Sequence, residues 1–191
     1  MVSGLPRSGT SMMMQMLAAG GMPVLTDGLR AADEDNPRGY FEYEPVKRTK
    51  RQASWVPLAE GLAVKIVYAL LRDLPARHEY QVIMMHRDLA ETIASQREML
   101  RRSGRNGADV GEETLRGLFE KELREVASWL AAQPNFRVLD VEYGECVHDP
   151  ARAAARVNRF LGGALDEGSM ISAVDPLLYR RRLGPVAVSR G

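Results

Sequence analysis

The stretch Val2-Ser3-Gly4-Leu5-Pro6-Arg7-Ser8-Gly9-Thr10-Ser11, followed by Met12-Met13-Met14-Gln15-Met16-Leu17, decides how the chain is read. A short strand (about Met1 to Ser3) runs into a glycine-containing loop, and the loop opens an apolar helix over Ser11 to Ala19 that Gly20-Gly21 stops. Strand, glycine loop and helix in that order are the context that a phosphate-binding loop of G-x-x-x-x-G spacing requires. The glycines let successive backbone N–H groups point into one concavity, and the helix N-terminus adds partial positive charge there. Met12, Met13, Met14, Met16 and Leu17 cover nearly every side of the helix, which predicts an interior position.

Outward from this unit, segments of strand character alternate with segments of helical period. Val24 to Thr26, Leu62 to Val67, Gln81 to Met85 and Phe136 to Val141 read as further strands. Leu89, Ile93 and Leu100 form one helical stripe, and Leu115, Leu118, Phe119, Leu123, Val126 and Leu130 form another on a helix of roughly Glu112 to Ala132. Asp149-Pro150 starts a further helix with an acidic cap and Pro at its first position, and Ala153, Val157, Phe160 and Leu161 face inward. The pattern predicts an α/β fold of three layers, αβα, around a central parallel sheet of four to five strands, of the P-loop nucleotide-binding type. With 191 residues and 45% hydrophobic content, residues 1–191 are expected to form one domain. The polar, turn-rich stretch Asp27 to Tyr43 is too long for a simple connector and is expected to carry substrate contacts.

Twenty-six basic against 25 acidic residues give a net charge of +1, which supplies no global field for nucleic acid or an anionic membrane. Any anion site is therefore local. Cys146 is the only cysteine, so no intrachain disulfide or cysteine zinc cluster is available, and no metal site is expected. No apolar run reaches membrane-spanning length, and the reading is a cytoplasmic protein with no membrane partner. A homodimer stays open.

A nucleotide kinase places Lys directly after Gly9 to reach the β- and γ-phosphates, with a hydroxyl residue next for Mg²⁺. Thr10 holds the lysine position, although Ser11 stands where the metal ligand would be. The loop's positive charge is at Arg7, which argues against Mg-ATP chemistry. A sulfuryl group carries less negative charge than a phosphoryl group, and one cation with several N–H donors suffices for it.

Pro6-Arg7-Ser8-Gly9-Thr10-Ser11 resembles the 5'-phosphosulfate loop of sulfotransferases, closest to the PRSGTT form of the tyrosylprotein and carbohydrate enzymes. Val82-Ile83-Met84-Met85-His86-Arg87, then Asp88 and Ser95, is similar to that family's 3'-phosphate motif. Arg87 at a strand end and Ser95 two turns into the next helix converge on one phosphate. A third block resembles the family from Val138-Leu139-Asp140-Val141-Glu142-Tyr143 through Asp149-Pro150 to Phe160-Leu161-Gly162. The resemblance implies a PAPS (3'-phosphoadenosine 5'-phosphosulfate) donor, a PAP product and a hydroxyl-bearing acceptor. It also implies Pro6, Arg7, Ser8, Gly9, Thr10, Ser11, Arg87 and Ser95 as donor-binding residues, with Tyr143 against the adenine.

The match has gaps. Lys65 in Leu62-Ala63-Val64-Lys65 resembles the lysine of the cytosolic sulfotransferases' K-x-H segment, but Val67 stands at the histidine position. Transfer to a hydroxyl needs a proton acceptor, and a carboxylate raised in pKa by burial would serve. Asp27 lies near where the tyrosylprotein enzymes carry their catalytic glutamate, and Glu42 ends the turn motif Asn36-Pro37-Arg38-Gly39-Tyr40-Phe41-Glu42. The catalytic candidates are thus Arg7, Asp27, Glu42 and Lys65. Asp33-Glu34-Asp35 reads as a solvated face. The family's C-terminal R-K-G-x-x-G segment is not recognisable, and Tyr179-Arg180-Arg181-Arg182-Leu183-Gly184 either replaces it or forms an exposed tail. Two other readings remain: a P-loop small-molecule kinase, with Val138-Leu139-Asp140 as its acidic strand end, and a non-catalytic PAP-binding protein.

Overall fold

The computed structural model describes residues 1–33, 36, 39–102, 104 and 111–175. The arginines at 180–182 lie outside them. Three parallel strands form the sheet in the order β1 (Val2–Gly4), β2 (Tyr80–His86), β3 (Phe136–Glu142). Ser3 pairs with Met84, which pairs in turn with Asp140. Helix α1 (Thr10–Ala19) follows β1, and α2 (Leu89–Arg102) and α3 (Glu112–Ala131) connect β2 to β3. Helices α4 (Tyr143–His148), α5 (Pro150–Phe160) and α6 (Glu167–Ser172) complete the described chain. Three 3-10 turns, Glu44–Arg48, Val56–Ala59 and Tyr68–Asp73, occupy the long connection between α1 and β2.

Among the described residues the sheet has three strands where four to five were expected. The 62–67 and 24–26 segments make isolated parallel bridges only, Val2 to Lys65 and Val24 to Ala63. Val2 donates to Val64 O at 2.9 Å and accepts from Ile66 N at 2.9 Å, while Leu25 N donates to Ala63 O at 2.8 Å. Each contact stays local because β1 is three residues long and Pro23 has no N–H to extend the pairing.

Side chains of β2 alternate between two cores, as a strand's period of two dictates. Tyr80, Val82 and Met84 join Trp55, Leu71, Phe119, Val126 and Leu130 on one face. Ile83 and Met85 join Met13, Met14, Met16 and Leu17 of α1, Ala153 and Val157 of α5, and Met170 of α6 on the other. Helices thus cover both faces, and the methionine helix is interior as its sequence predicts, with Met13, Met14 and Met16 fully buried. Leu118 departs from the α3 stripe. It is 49% exposed while Phe119 and Val126 are buried, because it sits about a quarter turn off the packed face. Asp149 caps α5 by accepting from Arg152 N at 3.1 Å, with Pro150 at the first position. Among the described residues no helix is long and apolar enough to cross a membrane.

Candidate active site at the strand ends

Beyond the C-terminal ends of the three strands lies a cavity of about 820 Å³, where open α/β sheets place their ligands. Its first wall is the loop 4–9. At Gly4 a Cβ would stand 2.5 Å from Ser8 Oγ and 2.6 Å from Met85 O, so the loop leaves β1 pressed against β2. Gly9 ends the loop at φ 99° as the N-cap of α1, and a Cβ there would meet Tyr143 Cδ2 at 2.4 Å. Between them Arg7 is left-handed at φ 73°, a conformation that costs a non-glycine residue energy. Ser8 Oγ is buried with no hydrogen-bond partner among the described residues. Ser8 is enclosed behind the loop, and the residues that face the cavity are Gly4 to Arg7 and Gly9 to Ser11.

The second wall is the end of β2 and the start of α2. The Arg87 guanidinium lies 4.6 Å over the Tyr143 ring. It donates from Nε to Glu91 at 3.0 Å and from Nη1 to the Arg7 carbonyl at 3.3 Å. Arg7 Nε in turn donates to Ser95 Oγ at 3.0 Å. Arg7, Arg87, Ser95 and Tyr143, spread over 136 positions of sequence, therefore form one contiguous surface.

The third wall is the long loop with the 62–67 segment. Lys65 donates to the Tyr40 carbonyl and to Ser11 Oγ at 3.3 Å, and lies 3.8 Å from Glu42. Burial holds its amine down to about 8, with Glu42 pulling upward and Arg30, Lys47 and Arg7 pushing further down. Glu42 also pairs with Arg30 at 2.8 Å and Lys47 at 3.3 Å. Burial alone would raise its carboxyl, but the charges of Lys65, Arg30 and Lys47 outweigh this and leave it below the ordinary value.

A family model described as "Sulfotransferase family" matches residues 69–167, more than half of the chain. The chain belongs to the sulfotransferase family. No curated protein matches it. Family membership makes it a transferase whose general chemistry is sulfuryl transfer. In this sulfotransferase the matched span carries Arg87, Ser95 and Tyr143, whereas the glycine loop, Glu42 and Lys65 precede it. The fold brings the two sets together.

Asp27 is not brought in. Its carboxylate accepts from Glu44 N at 2.6 Å and Leu29 N at 3.1 Å, and those backbone donors lower its pKa where the sequence reading wanted a raised one. It caps the 3-10 turn Glu44–Arg48 and does not line the cavity. Asp140, the kinase reading's acidic strand end, pairs with His86 at 2.7 Å and is also off the cavity wall. Sequence reasoning missed Arg30 and Glu91. The i,i+4 spacing of Arg87 and Glu91 was a usable signal. Arg30 carried none, since its guanidinium reaches the site by stacking 3.3 Å over the Tyr40 ring, a contact set by the loop's path.

Proposed function

We propose that the chain transfers the sulfuryl group of PAPS to a hydroxyl of a small acceptor. The observation that carries the reading is the run of cationic and hydroxyl side chains along one cavity, from Lys65 and Ser11 through the glycine loop to Arg7, Ser95 and Arg87. Such a run suits a ligand with two anionic groups held apart.

The residues fit that donor. The backbone amides at the N-terminus of α1, with Thr10 and Ser11, would hold the 5'-phosphosulfate, and Arg87 and Ser95 the 3'-phosphate. Tyr143, whose ring is flanked by Gly9 and Arg87, borders the cavity where the adenine would lie. When bound, PAPS supplies an activated sulfuryl group.

The chain's own residues supply the rest. Arg7 and Lys65 would stabilise charge developing on the oxygen that leaves sulfur, from positions fixed before the reaction. Glu42 takes the acceptor's proton as the new O–S bond forms and the donor's bridging O–S bond breaks. Of the two carboxylates the sequence offers, Glu42 is the one on the cavity wall. Its ionised state readies it to accept a proton, and an anionic donor beside Lys65 would offset the cation that weakens its basicity.

A thermal-shift comparison tests the reading. PAP should stabilise the chain far more than AMP at equal concentration, since stabilisation follows the logarithm of concentration over Kd. Stabilisation by Mg-ATP and none by PAP would replace this reading with the kinase one.

A further inference from the structure

The part of the cavity adjoining Glu42 and Lys65 differs in character from the anion-binding part. In the 62–67 segment Val64 is buried in the core, and Lys65, Ile66 and Val67 border the cavity, with Lys65 and Val67 the more exposed of the three, as alternation along extended backbone requires. Val67, at φ −71° and ψ 137°, keeps the extended geometry and is 44% exposed on the cavity wall. Leu70 follows it in the 3-10 turn Tyr68–Asp73, with Leu70 N donating to Val67 O at 2.9 Å. From the other segment, Tyr43 and Val46 follow Glu42 directly, with Val46 N donating to Tyr43 O at 3.0 Å. Met99 of α2 lines the same cavity.

We propose that the acceptor is a compact apolar hydroxyl compound, an aryl or alicyclic alcohol, whose hydrocarbon body rests on Tyr43, Val46, Val67, Leu70 and Met99. Its hydroxyl turns to Glu42 and Lys65. The proposal rests on the donor reading above and narrows its acceptor. Removing Val67 and Leu70 from water favours an apolar body, and the flexible Met99 side chain adapts to its outline. A saccharide would bury several hydroxyls against side chains whose one strong hydrogen-bonding group is the Tyr43 phenol, and unpaired buried hydroxyls are costly. The polar groups nearby are engaged with one another, Glu42 with Arg30 and Lys47, and Tyr40 with Asp33 at 2.7 Å. In the transfer the acceptor oxygen bonds to sulfur, its proton passes to Glu42, and the bridging oxygen leaves with the electron pair of the broken O–S bond.

The experiment follows transfer of ³⁵S from PAPS to 2-naphthol, cyclohexanol, diacetylchitobiose and an acidic tyrosine-containing peptide, with the PAP thermal shift measured on each protein sample. The expected result is a kcat/KM for 2-naphthol at least roughly 100-fold above those for the disaccharide and the peptide. Val67→Asp should raise the 2-naphthol KM roughly tenfold or more, as loss of apolar pocket contact does, and Val67→Ile should not. Both variants should keep the parent's PAP shift, because Val67 is partly exposed and outside the donor residues. Preference for the disaccharide or peptide with the PAP shift intact overturns the acceptor class alone, as does an unchanged naphthol KM in Val67→Asp. A parent protein that PAP does not stabilise overturns the donor reading and this one with it.

Discussion

Replacing Gly9 with Ala tests whether the glycine loop and Tyr143 form one unit. Two costs are separable. Gly9 sits at φ 99°, so a side chain there is strained by about 1–3 kcal/mol whatever surrounds it. The new Cβ would also stand 2.4 Å from Tyr143 Cδ2. The ring cannot swing freely away, being 7% exposed and lying under the Arg87 guanidinium, so overpacking adds about 1–3 kcal/mol. Together they predict a loss of about 4 kcal/mol, or a Tm lower by roughly 8–16 °C for a chain of this size. Tyr143→Ala removes the obstacle but not the backbone strain. In that background Gly9→Ala should cost only about 1–3 kcal/mol, giving a coupling of similar size between the two positions in urea melts. Both variants should also weaken PAP binding, since loop and ring border the same cavity. A Gly9→Ala cost below about 1 kcal/mol, or an equal cost in both backgrounds within about 0.5 kcal/mol, would refute the close packing of loop on ring.

Lys65→Met should lower kcat by roughly a hundredfold or more, the scale of a lost preorganised donor, while stabilising the free protein by up to about 3 kcal/mol because it no longer buries an amine held at about 8 instead of 10.5. The sign in pH follows: between about 8 and 10.5 the unfolded chain keeps the proton that the folded one has lost, so stability rises with pH in the parent and not in the variant, whereas donor affinity falls as the cation is lost above about 8. Arg87→Ala should raise the KM for PAPS by roughly 10- to 100-fold and abolish the preference for PAP over AMP in thermal shift, with the smaller change on kcat. Asp27→Asn should lower the Tm, since it weakens a cap on the turn after Tyr43, and leave kcat near that of the parent; loss of kcat without loss of Tm would make Asp27 the base.

The elements best read from sequence are those whose own pattern determines them. The methionine-covered α1, the capped α5 and the continuous apolar run of β2 each declare their environment locally, and each stands where the pattern puts it. Residues 62–67 and 24–26 have strand composition but make single bridges, because pairing depends on how much edge β1 offers and β1 is three residues long. Composition cannot report a neighbour's length. At the site, Arg87 and Ser95 were legible because a strand end and a position about two turns into the following helix reach the same cavity wall by geometry alone. Glu42 and Asp27 looked alike in sequence, and only the loop's path separates a carboxylate among three cations from one that caps a turn. The expectation of a carboxyl raised by burial failed at Glu42 for the same reason: the three cations beside it come from residues 30, 47 and 65.

The charge that a kinase-type loop would carry at position 10 is distributed here over separate segments: Arg7 in the loop, Lys65 beside β1 and Arg87 at the end of β2. None of them makes an anion site alone. Their convergence requires β1 to be pinned on both sides, by Val64 O and Ile66 N on one edge and by β2 on the other. A strand of three residues has little intrinsic hold on that position, so the sheet and the site form together. Assembly also has a cost in the free protein, because it buries Lys65, leaves Ser8 Oγ without a partner and holds Arg7 at positive φ. An anion beside Lys65 would relieve the first. The free chain thus gives up stability that the proposed donor would restore in part on binding, which is the general pattern of a site preorganised for charge.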